Sequence, residues 1–91
     1  MSKIEVRDIC LWPQHIQGKP ELQRRLLELR EDELIVLRLG RYSSTWKKMR
    51  QSANPTPTTG LRAACDATRD WWKTVYPSRK GEWLTIEEVK E

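Results

Sequence analysis

Leu34-Ile35-Val36-Leu37-Arg38-Leu39-Gly40-Arg41-Tyr42-Ser43-Ser44-Thr45-Trp46-Lys47-Lys48-Met49 is the stretch that decides the fold. Leu34 to Leu39 reads as a buried strand, Gly40 and Arg41 as a Gly-X two-residue turn, and Tyr42 to Met49 as the returning strand. This register sets Leu39 opposite Tyr42, Leu37 opposite Ser44 and Ile35 opposite Trp46. Directly opposed residues share a face and the side-chain period is two, so these six form the expected core face. Leu34, Val36, Arg38, Ser43, Thr45 and Lys47 make the opposite face, which becomes basic and hydroxyl-rich toward the turn.

Upstream of the hairpin, Ile4, Val6 and Ile9-Cys10-Leu11-Trp12 read as a first strand broken by Pro13. Pro20 suits a first helical position, and Leu22, Leu26 and Leu29 make one apolar stripe with Leu27 at its edge. On the other helix face, Glu21 to Arg25 and Arg24 to Glu28 are spaced for i to i+4 pairing. Glu31, Asp32 and Glu33 oppose the helix dipole at its end and are read as the stop. Downstream, Asn54-Pro55-Thr56-Pro57-Thr58-Thr59 cannot continue a regular element, because two prolines remove donors and fix the chain.

A second helix is expected to begin between Leu61 and Asp66 and to end before Pro77. Leu61, Ala64, Cys65, Thr68, Trp72 and Val75 form its stripe, with Asp66 as an alternative cap. Ser78 to Gly81 reads as a turn and Trp83 to Val89 as a last strand. The expected class is therefore α+β, one small domain over residues 1–91. The βαββαβ element order has an antiparallel central hairpin, and a ferredoxin-like arrangement fits that order. A three-stranded sheet with two helices, or a partly closed barrel, uses the same hairpin.

The net charge of +4 is concentrated in the middle of this chain. No acid occurs between Glu33 and Asp66, and those 32 positions carry Arg38, Arg41, Lys47, Lys48, Arg50 and Arg62. The first 33 residues hold six basic and seven acidic groups and the last 26 hold five and six, so each flank is slightly acidic. Cations interleaved with aromatic residues suit nucleic acid, because the cations neutralise phosphates while aromatic faces stack on unpaired bases. The expected contacts are Arg38, Arg41, Lys47, Lys48 and Arg50, with Tyr42 or Trp46 stacking. The same pattern is also met by a hairpin whose aromatics face the core and whose cations are merely solvated. The third strand of an RNA-recognition motif carries a glycine and aromatic run that Trp46-Lys47-Lys48-Met49 does not reproduce.

Five Trp and no Phe supply the aromatic area. Trp71 and Trp72 differ by about 100° on a helix, so both cannot point into one core. With Trp83 they form the alternative site, a protein-interaction anchor for a homodimer, a larger complex or an acidic protein surface. Thr58, Thr59 and Gly60, with Arg62 just inside the helix, sketch an anion pocket, although a Thr-rich capping turn explains the same residues.

No motif specifies a reaction. His15 is the sole histidine and is read as a solvated loop residue; Cys10-His15 lacks an evident orienting group for nucleophilic catalysis. The pairs and triplets of adjacent acids, Glu87-Glu88 and Glu31-Asp32-Glu33, do not place two carboxyls in one cleft. Two cysteines without metal-ligand spacing make neither a disulfide framework nor a metal site. The expectation is a non-enzymatic, cytoplasmic binding protein without metal or cofactor and without a membrane span.

Overall fold

The hairpin forms in the expected register. β1 (Leu34–Leu39) and β2 (Tyr42–Lys48) pair antiparallel with Leu39 opposite Tyr42, Leu37 opposite Ser44 and Ile35 opposite Trp46. Gly40 takes a φ of 63° while Arg41 does not turn positive, the pattern of a type II′ turn. A residue with a Cβ would be strained at Gly40, which is how this one glycine fixes the register.

The computed structural model of the chain describes residues 5–50, 53–75 and 86–89. Around the hairpin stand a 3-10 turn (Pro13–Ile16), α1 (Pro20–Leu27), β3 (Leu61–Ala63), α2 (Asp66–Val75) and β4 (Glu87–Glu88). The strands lie in the order β3-β2-β1-β4, all neighbours antiparallel. This is a small α+β fold. The βαββαβ order is not the one seen among the described residues, where three strands, β1 to β3, stand between α1 and α2.

Two local causes separate the observed order from the expected one. The chain before Pro13 runs beside β3, where the Arg7 N–H donates to the Ala63 carbonyl at 2.7 Å and Cys10 bridges Arg62. The Ile9 N–H, however, folds back to the Arg7 carbonyl at 2.8 Å, a three-residue turn that prevents a continuous ladder. Leu61 to Ala63 forms a strand where a helix start was expected. Leu61 and Ala63 are buried and Arg62 exposed, so this segment follows period two, and α2 begins at Asp66. The last strand is described only from Ile86 onward; Trp83 and the Ser78 to Gly81 turn lie outside the described residues.

Both helices cover the same face of the sheet. Leu22 and Leu26 of α1 and Trp72 of α2 join Ile35, Leu37 and Trp46 in one cluster. Helix α1 ends at Leu27, short of the acidic triplet, yet Leu29 remains buried beyond it. Arg25, read as the partner of Glu21, reaches Glu33 at 3.2 Å and Glu88 at 3.1 Å, fastening α1 to the start of β1 and to β4. On the inner face the Trp46 indole N–H donates to Ser44 Oγ at 2.8 Å, and Ser44 Oγ donates to the Leu37 carbonyl at 3.1 Å. Ser44 thus satisfies the one polar atom that a fully buried Trp brings with it. Trp72 meets Trp46 edge-on, ring centroids 5.0 Å apart. At ~25 cal/mol per Å² and ~200 Å² per ring, each of the two contributes roughly 5 kcal/mol of transfer free energy before entropy.

Candidate nucleic-acid interface

The six cations of the acid-free segment divide by strand parity and loop position. Arg38 and Lys47 lie on the outer face of the sheet, where Arg38 pairs with Glu87 at 3.5 Å and Lys47 with Asp32 at 3.5 Å. Arg41 is exposed in the turn and Arg50 beyond the end of β2. Arg62 projects outward from β3 beside Lys47, its register partner.

Lys48 does not belong with them. It shares the inner face with Ser44 and Trp46, is 1% exposed, and donates from Nζ to the Thr59 carbonyl at 2.6 Å. Burial pushes its amine below the ordinary lysine range. Lys48 therefore offers no phosphate contact in this fold. Parity carried that signal, since Lys48 is two residues from a core tryptophan.

The expected stacking residues also separate. Trp46 is wholly buried, so its indole cannot meet a base. Tyr42 is 52% exposed at the end of the hairpin, its ring 5.2 Å from that of half-buried Trp71. Trp72 is core, 2% exposed, and so is no interaction anchor; its neighbour Trp71 takes the margin, as their ~100° offset requires. Trp83 lies outside the described residues.

His15 is buried, not a solvated loop residue. The 3-10 turn carries it inward, edge-on to Trp72 with ring centroids 5.0 Å apart, and burial pushes its pKa down to about 4. The Thr-rich anion pocket is likewise replaced. Thr59 Oγ1 accepts the Thr56 N–H at 2.8 Å and contacts Thr56 Oγ1 at 2.8 Å, while Thr58 is buried. These hydroxyls close their own turn, and β3, not a helix N-terminus, follows it.

The loop does position a different site. Gly60 has a φ of 72°, and a Cβ there would collide with the Arg50 carbonyl. With the Met49 N–H donating to the Gly60 carbonyl at 2.7 Å, this close approach holds Arg50 against the start of β3. A cleft of about 730 Å³ results, lined by Arg50, Arg62, Cys10, Met49 and Gly60 among others. A second cleft of about 360 Å³ adjoins it, lined by Trp12, Arg62, Lys73, Ile9 and Trp72. Asp8, Cys10 and Arg62 line both.

Charge across the two clefts is mainly positive. Arg7 borders the larger one but is engaged by Glu5 at 2.8 Å and Asp66 at 2.6 Å. Among the described residues Arg50, Arg62 and Lys73 have no ion pair, and Asp8 is the sole acid in either lining. Trp12, 52% exposed, is the aromatic residue that borders cations here. Sequence reasoning placed Trp12 in a strand and passed over Lys73. The adjacent Pro13 was the available signal, because a residue before proline is held extended while the ladder stops.

Among the described residues no three His, Cys, Asp or Glu side chains cluster as metal ligands, and no helix is long and apolar enough to cross a membrane. No protein-family model matches the chain, and no curated protein or solved structure matches it either.

Proposed function

We propose that this chain is a small non-enzymatic binding protein that contacts the phosphate backbone of nucleic acid, with Arg50, Arg62 and Lys73 as the principal cations. The observation that carries this reading is the position of Arg62 between two adjoining clefts, with Arg50 in one and Lys73 in the other. Three cations free of carboxylate partners among the described residues can exchange counterions for phosphates. Arg41, exposed in the hairpin turn at the other end of β2, is a further cation. Arg38 and Lys47 first have to leave Glu87 and Asp32. Cys10 and Cys65 are free thiols, which suits the reducing cytoplasm.

The test is titration with oligonucleotides at two salt concentrations. At a slope of about 0.7 per contact, three phosphate contacts predict a roughly twentyfold loss of affinity between 50 and 200 mM salt. Arg62→Ala should weaken binding and lower the salt slope by about 0.7. Absence of binding at low salt would remove the proposal.

A second reading, a protein-interaction module, has its own support. Tyr42 stands exposed against half-buried Trp71, beside exposed Arg41 in the turn. An acidic protein surface or a second copy suits this mixed patch. Light scattering of the purified protein with Tyr42→Ala as control separates it: a dimer lost on that substitution would favour this reading.

A further inference from the structure

We infer that the nucleic acid bound is single-stranded, and that one unpaired base stacks on Trp12 while its flanking phosphates meet Arg62 and Lys73. This deepens the nucleic-acid reading above and rests on it. Trp12 precedes Pro13, follows fully buried Leu11, and accepts the His15 N–H on its carbonyl at 3.0 Å, so its backbone is held at φ -93° and ψ 142°. An aromatic residue on so constrained a backbone loses little freedom on binding. Its ring is half exposed on the wall of a cleft of about 360 Å³, near the low end of the ~300–1,000 Å³ usual for small-ligand clefts.

The surroundings suit one base better than a duplex. Ile9 and Trp72 make part of the lining apolar, while Arg62 and Lys73 supply charge at the same cleft. Paired bases are stacked on each other and present only their edges, so a duplex meets the cations without using the indole face. A single strand uses both. Because Arg62 also lines the larger cleft, the backbone has a continuous basic path from Lys73 past Arg62 to Arg50. Asp8, shared by the two linings, disfavours phosphate at its own position and directs the backbone toward the Arg side. Stacking is tolerant of base identity, so little sequence preference is expected.

Titration of the full chain with a thymidine oligonucleotide and with a duplex of the same length, at low salt, tests the inference. Trp12→Ala should reduce single-strand affinity by about 5-fold to about 150-fold, the range for loss of one base–aromatic stack, and leave duplex affinity unchanged. Trp12→Phe should retain most single-strand affinity while losing most of the fluorescence change expected when the parent protein binds. Alkylation of Cys10, which lines both clefts, should slow when the single strand is bound.

Equal loss for both polymers, or none for either, would overturn the stacking inference while leaving the nucleic-acid reading intact. Unchanged Cys10 alkylation in a saturated single-strand complex would also overturn it. Failure of the parent protein to bind either polymer removes both readings, and circular dichroism of Trp12→Ala distinguishes lost contact from lost fold.

Discussion

The two faces of the central hairpin have nearly the same residue types and opposite fates. Inward, β2 carries Ser44, Trp46 and Lys48, all buried; outward it carries Ser43, Thr45 and Lys47, which keep contact with solvent. A serine and a lysine occur on each side. The inner serine receives an indole N–H and the inner lysine reaches a loop carbonyl, whereas the outer lysine reaches only exposed Asp32. Surface charge is thus decided by strand parity, and the density of cations along the chain overstates the basic surface.

The largest contrast should be in stability. Trp46→Ala empties the centre of the cluster and removes the edge contact with Trp72, so a loss of about 3–5 kcal/mol is expected by denaturant unfolding. Arg38→Ala, one residue from core Leu37 but on the outer face, should change stability by less than about 1 kcal/mol, because both members of its ion pair are more than half exposed. Similar losses for both would break the two-face description.

Acid should attack the inner layer selectively. The unfolded His15 imidazole takes up a proton near pH 6.5, while the buried one does so only at about 4. Between those values the unfolded state binds more protons, so this contribution is intact above about pH 6.5 and falls as pH drops toward 4. The full shift corresponds to up to about 3 kcal/mol. His15→Phe should flatten that part of the stability profile. An unchanged slope would mean that burial does not hold His15 neutral in the folded protein.

The hairpin was legible because a two-residue Gly turn and alternating side chains specify the same register independently. The flanks were not legible for different reasons. Leu61-Arg62-Ala63 contains a single alternation, too short to separate period two from a helical stripe, and its pairing with Trp46, Lys47 and Lys48 is long-range. The Ile9 to Trp12 run looks like a strand by composition, yet the turn between Arg7 and Ile9 and the proline at position 13 leave only one bridge. The candidate site lies where those two segments meet. Of its residues, Arg50 and Arg62 were visible as charge, but the approach of Trp12 and Lys73 to Arg62 depends on pairing that no local pattern encodes.

Adjacent Lys47 and Lys48 give the finest version of the comparison. Lys48→Ala removes a packed aliphatic stem and leaves the Thr59 carbonyl without its donor, so a loss of about 1–3 kcal/mol is expected. Lys48→Met keeps most of the stem and relieves the buried amine of its desolvation penalty, which should recover part of that loss. Lys47→Ala breaks the 3.5 Å contact to Asp32 and removes a side chain that is 15% exposed, so a loss of about 1 kcal/mol, smaller than that of Lys48→Ala, is expected. Oligonucleotide affinity should run the other way: Lys47→Ala weakens it modestly, while Lys48→Met, whose amine never reaches the surface, leaves it unchanged. Denaturant midpoints and salt-dependent titrations on the same three variants would check both halves. A Lys48→Met protein that is fully folded but binds less well would show that the inner lysine reaches the ligand after all, and would put the parity argument in error at the residue where it makes its most specific claim.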